Sequence, residues 1–115
     1  MADTLIKGFP VTIGGKTFSA IDHTGPASYT AVTTGAPVSG GDVIVAATFG
    51  LRFIEAVECT MDNTGVYDPD PILSAADAVP RTQVTLRWFT AAGRAEVAGA
   101  TNLSASHVRI QVIGY

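Results

Sequence analysis

Strict alternation dominates the C-terminal half of this chain. In "RTQVTLRWFTAA", residues 81–92, Val84, Leu86 and Trp88 fall on one side of an extended chain while Gln83, Thr85 and Arg87 fall on the other. The last ten residues, "SHVRIQVIGY", repeat the pattern with Val108, Ile110 and Val112 against His107, Arg109 and Gln111. A period of two is the signature of a strand with one face in a core and one in solvent. Trp88 and Phe89 are adjacent, so they face opposite sides. Trp88 is expected in the core, and Phe89 lies with Arg87 on the other face.

The remaining segments fit the same class. "VTIGGKTFSA" is expected to form a hairpin, with arms Val11 to Ile13 and Lys16 to Ala20 joined by Gly14-Gly15 in a primed turn. Ser28 to Thr33 is expected as a strand. Asp42 to Ala47 and "LRFIEAVECT" allow a helix, because Ile44, Ala47, Leu51 and Ile54 keep helical spacing. The β-branched run Val43-Ile44-Val45 and the central Gly50 favour two strands joined near Phe49-Gly50. The only further helical candidate, "SAADA" at 74 to 78, is one turn at most. With Ala91 to Arg94 as a turn, the chain is expected to be one all-β domain over 1-115. Its form is a small, jelly-roll-like β-sandwich of six to eight short strands.

Charge narrows the function. With 115 residues the chain has room for one core. Charged residues make up 15%, against about 25% in an average soluble domain. Such a surface fits a protein covered in part by a partner or by copies of itself. Two lysines and five scattered arginines with a net charge of -3 do not neutralise a row of phosphates, so no nucleic-acid partner is expected. The longest apolar stretch, "DVIVAATFGLRFIEAV", is interrupted by Arg52 and Glu55 and is too short to span a bilayer. No membrane partner is expected. The N-terminus lacks the pattern of a secretory signal, which places synthesis and assembly in the cytoplasm.

No catalytic, cofactor-binding or metal-binding residues are expected. Cys59 is alone and reads as a small, buried residue. Gly15-Lys16-Thr17 ends like a phosphate-binding loop, but Pro10 stands where that loop needs glycine. "MDNTGVYDPDP" places Asp62, Asp68 and Asp70 close together; its prolines and irregular acid spacing match no calcium loop, so it reads as a surface loop with turns at Asn63 to Gly65 and Asp68 to Pro71. His23 is expected in a turn beside Asp22, and His107 at a strand edge. No strand-to-helix nucleophile motif accompanies them. Asn102-Leu103-Ser104 has glycosylation spacing and, without an export signal, is expected unmodified.

Several stretches resemble a known family. Gly50-Leu51, Ile54 to Val57, Trp88, Glu96 to Ala98, Asn102 to Ala105 and the terminal Ile113 to Tyr115 are similar to short β-rich proteins encoded among the head genes of tailed bacteriophages. The similarity covers roughly the C-terminal two-thirds and consists of ordinary residues. It implies a non-enzymatic virion structural protein, a capsid decoration or cement protein on the outer capsid surface. The implied partners are the major capsid protein and further copies of the chain, with a trimer favoured. The candidate interface residues are Arg87 and Phe89, with Arg109 and Tyr115 near the edge of the C-terminal strand as a second location. A phage tail or fibre component is the nearest alternative. From another class comes a carbohydrate-binding module reading sugars through Tyr29, Tyr67 and Phe89.

Overall fold

Gly14 and Gly15 both adopt positive φ, 60° and 82°, the backbone a two-residue primed turn requires. They close the expected hairpin between β2 (Val11–Ile13) and β3 (Lys16–Thr24). A computed structural model describes residues 3–32, 40–73 and 81–115. Its other strands are β1 (Thr4–Leu5), β4 (Asp42–Val45), β5 (Ile54–Cys59), β6 (Tyr67–Leu73), β7 (Gln83–Thr90) and β8 (His107–Gly114). All described pairings are antiparallel.

Two sheets result. One has the order β1-β3-β8-β5, with β2 also on β3; the other has the order β4-β7-β6. Alternation sends Val84, Leu86 and Trp88 of β7 inward, where they meet Ile21 of β3 and Ile110 and Val112 of β8 in one apolar cluster. Val84, Leu86 and Trp88 are each 0% exposed. The protein is therefore an all-β sandwich, and Trp88 lies in its core as expected.

The segment at 42–59 contains two strands, as its β-branched residues suggest. They do not pair with each other: β4 lies in the three-stranded sheet and β5 in the five-stranded one. A four-residue 3-10 turn, Ala46–Phe49, carries the chain across and ends at Gly50, whose φ is 76°. Phe49 is buried at this crossing.

Two expectations fail. The chain is irregular from Pro26 to Val32, and Thr33 lies outside the described residues. Its local bonds explain why Ser28 to Val32 is no strand: Tyr29 exchanges backbone hydrogen bonds with Thr101 and Ala100, which lie in a turn segment. Asp68 to Pro71, expected as a turn, forms the middle of β6. Trp88 uses its backbone N–H and C=O on the far side of β7, toward the Tyr29 hydroxyl and Val97. Pro69 opposite it thus faces a position where the ladder needs no donor. With β6 at the sheet edge, both prolines are tolerated. The candidate helical turn at 74 to 78 lies outside the described residues.

Candidate functional site

Strand β7 turns Arg87 and Phe89 to the outer face of the three-stranded sheet, and the register with β6 sets Asp70 and Asp68 directly opposite them. The turn after β7 brings Arg94 back over this face, with Gly93 at φ 82° and Arg94 itself at φ 53°. Arg94 donates through Nη1 to Asp68 at 2.5 Å and through Nη2 to Asp70 at 2.7 Å. Its guanidinium lies 4.8 Å from the Phe89 ring centroid, and that of Arg87 lies 5.2 Å from it. Arg87 in turn donates to Glu96 at 3.1 Å. The Phe89 ring is thus fixed by two cations that are themselves held by carboxylates.

Glu96 anchors this arrangement to the core. Its other oxygen accepts from the Tyr29 hydroxyl at 2.9 Å and from the Val32 N–H at 2.7 Å. Burial alone raises the Glu96 pKa, but the Val32, Tyr29 and Arg87 donors outweigh it and hold the carboxyl below the usual range. Burial and then the neighbouring carboxylate push the Tyr29 hydroxyl up to about 12. Tyr29 is 1% exposed, and Tyr67 packs edge-on against Trp88 at 6.3 Å. Of the aromatics suggested for reading sugars, Phe89 alone keeps an outward face.

The second polar cluster lies between the sheets. His23, expected in a turn, sits within β3 and is buried. Its parity on β3 matches Ile21, so the ring points inward. Nδ1 lies 2.8 Å from the Asp3 carboxylate, and Nε2 lies 2.6 Å from Asp42 Oδ2. Trp88 Nε1 donates to the same Asp42 oxygen at 3.1 Å. Burial by itself lowers the His23 pKa, yet the hydrogen bonds and charges of Asp3 and Asp42 prevail and raise it to about 9. Both ring nitrogens therefore donate. With both ring nitrogens committed to carboxylates from different sheets, this trio ties the two sheets together.

The acidic stretch separates into unrelated parts. Asp62, expected on the surface, is 5% exposed and accepts from Thr64 at 2.5 Å, Ser106 at 2.8 Å and the Tyr67 N–H at 3.2 Å. Burial raises its pKa, and those donors overcome burial to lower it. Asp68 and Asp70 belong to Arg94. The turn at Asn63 to Gly65 is present, with Gly65 at φ 75°. Among the described residues no cluster of three His, Cys, Asp or Glu side chains is arranged to hold a metal ion.

Cys59 is half-buried on β5, where burial, followed by the nearby acids, pushes its thiol up to about 12 and suppresses thiolate reactivity. His107 opens β8 as expected and is exposed. Asn102 Oδ1 accepts from both the backbone and hydroxyl of Ser104, closing a local turn.

The candidate interface residues do not form one surface. Arg87 and Phe89 share the outer face of the three-stranded sheet. Arg109 lies on the outer face of the five-stranded sheet, opposite Asp22. Tyr115 follows β8, packing edge-on against Phe53 at 5.3 Å with Lys16 nearby. The notion of a free edge on the C-terminal strand is corrected: β8 runs between β3 and β5 and has no open side. Missed in the sequence were Arg94, Glu96 and Asp42, which organise both clusters. The one available signal was the spacing of Asp68 and Asp70, which on a strand places both acids on one face. Compared with protein-family models, curated proteins and solved structures, the chain finds no match.

Proposed function

We propose that this chain is a virion structural protein that decorates the outside of a tailed-phage head and braces contacts between capsomers. The observation that supports it most is where the residues carrying the phage-protein resemblance fall. Leu51, Ile54, Trp88, Val97 and Leu103 are all buried, and Glu96 is the inner brace of the three-stranded sheet. The large apolar residues of the resemblance thus mostly build the framework of the sandwich, while Gly50, Ala98, Asn102, Ser104, Ala105 and Tyr115 of the same stretches are exposed and available to a partner.

On that framework Phe89, Arg87 and Arg94 form an aromatic platform flanked by ion-paired arginines, residue types enriched where proteins meet. Side chains already held in place lose little freedom on binding. The proposed partner of this platform is the major capsid protein, and self-association belongs to the same proposal. A subunit that binds only the assembled shell stabilises it by mass action. Co-sedimentation of the purified protein with heads lacking it is the test. Saturable binding at a fixed copy number, with shells made more resistant to heat, is expected. Binding to tails and not to heads favours the fibre reading, and binding to neither overturns both.

A further inference from the structure

The outer face of the five-stranded sheet differs in kind from the face bearing Phe89. Register places Phe18, Ile113 and Ala56 side by side across β3, β8 and β5, all pointing outward. One step along, Gln111 and Glu58 are neighbours on the same face. These residues line a recess of about 400 Å³, and Phe9 forms one of its walls. The recess is floored by apolar groups and open to solvent.

The arm beside it, from Lys7 to Ile13, carries three of the nine exposed large apolar residues among the described ones: Phe9, Val11 and Ile13. Val11 pairs with Phe18 and Ile13 with Lys16, so both side chains stand on the recessed face. Ile13 is 64% exposed. The arm's strand β2 also lies at the sheet's edge, where backbone groups await a partner. One face thus combines an exposed apolar arm along the sheet edge with an apolar hollow.

Charge points to what covers it. Glu55 pairs with Lys16, Asp22 with Arg109, and Asp68 and Asp70 with Arg94. Lys7 on the arm and Glu58 at the recess have no such partner among the described residues. The arm carries the cation that the recess lacks. A surface holding both halves of a complementary contact fits another copy of itself, in reciprocal or cyclic fashion.

We infer that this face is a self-association surface. The arm Lys7–Ile13 of one copy covers the recess over Phe18, Ala56 and Ile113 of another, with Lys7 set against Glu58. This names the surface for the self-association in the function proposed above and uses nothing of its shell-binding part.

Sedimentation equilibrium over micromolar to submillimolar concentration tests it, with a melting curve for each variant to confirm folding. Ile13→Asp on the arm and Ala56→Arg at the recess alter exposed side chains. Each is expected to weaken association about tenfold or more with little change in melting temperature. Lys7→Glu and Glu58→Lys should each weaken it less, and the double variant Lys7→Glu/Glu58→Lys should recover what either loses. A wild-type chain that stays monomeric throughout overturns the inference, as do arm and recess variants that associate normally or a double variant that recovers nothing. Shell binding measured in parallel separates the proposals: a monomer that still coats heads, losing that only with Ala56→Arg, assigns the recess to the shell protein instead. A self-associating chain that ignores heads leaves this surface standing and removes the decoration reading.

Discussion

The two outer faces of this sandwich are built from the same kind of alternating strand, yet the patch around Phe89 on one is largely partnered within the monomer, Arg87 Nε and the exposed Val43 and Val45 of β4 apart, while the recess on the other is not. On the three-stranded sheet, the turn following β7 returns Arg94 and Glu96 over the strand, so that Arg87, Asp68, Asp70 and Phe89 all acquire partners from their own chain. On the five-stranded sheet the arm before β3 runs along the edge. Phe18, Ala56 and Ile113 keep an open recess, and Glu58 has no ion-pair partner among the described residues. Alternation alone settles which residues point outward. What covers them depends on where the next loop travels.

The comparison is broken most completely at Trp88, the residue both faces share from beneath. Trp88→Ala removes the largest side chain of the core, its bond to Asp42 and its contact with Tyr67. The expected cost is about 3–5 kcal/mol, a large part of a stability of roughly 5–15 kcal/mol. Denaturant melts should show a poorly folded chain with both faces lost together. Retention of either function in this variant would mean that its face stands without the common core.

Next in size is the clasp that sets the two faces at fixed distance. His23→Ala leaves Asp3 and Asp42 without their cation, and removing one member of a buried pair costs about 3–5 kcal/mol in the strongest cases; with Asp3 partly solvated, ~3 kcal/mol is expected. The wild-type pH profile carries the same information. His23 is raised in the folded state to about 9 from an unfolded value of about 6.5. Its stabilisation is therefore fully present below about 6.5 and is lost as pH rises through about 9. Glu96 and Asp62 have the opposite sign, since their folded pKa values are lowered. Their contribution holds above about 4.5 and is lost as the medium becomes more acidic. Melting temperature against pH should fall on both sides of a plateau, and His23→Ala should abolish most of the alkaline fall. An unchanged alkaline limb in that variant would remove the clasp from the account.

How much of this was legible in the sequence follows from the range of each interaction. The Gly14-Gly15 hairpin, β7 and β8 are specified by neighbours one or two residues apart, and their patterns are plain. Asp68-Pro69-Asp70-Pro71 has the composition of a turn and becomes a strand because β7 directs the Trp88 backbone groups away from Pro69. That cause lies in another part of the chain. His23 reads as a turn residue beside Asp22 until topology delivers Asp3 and Asp42 to its two ring nitrogens. Arg87 and Phe89 could be paired from alternation alone. Arg109 and Tyr115 could not be excluded from their surface without knowing that β8 joins the other sheet. The recess depends on the lateral order of β3, β8 and β5, which no local pattern encodes.

A smaller change loosens only the finished face. Glu96→Gln keeps the shape but turns charge-assisted bonds from Tyr29, Val32 and Arg87 into neutral ones, at an expected cost of about 1–2 kcal/mol. Part of the acid limb of the pH profile should go with it. Self-association through the recess should be untouched, because no residue of that surface contacts Glu96. A loss of self-association here would show that the two faces are energetically coupled.

An effect on stability no larger than this is expected at Phe89, and it sharpens the comparison most. The ring is partly exposed, and its special interactions are with the Arg87 and Arg94 guanidiniums. Cation–π contacts at exposed sites are worth about 0.5–1 kcal/mol each, so Phe89→Ala should cost about 1–2 kcal/mol in all. The Asp68 and Asp70 bonds still hold Arg94 once the ring is gone, so the platform should keep its charge and lose its aromatic centre. Shell binding should then fall about tenfold or more while sedimentation of the isolated protein stays as in the wild type. That outcome would make the finished face the one that meets the shell and the open face the one that meets its own kind. If Phe89→Ala instead lowers stability as far as Trp88→Ala, both sides of β7 are core, and the finished face is closed to partners as well as to solvent.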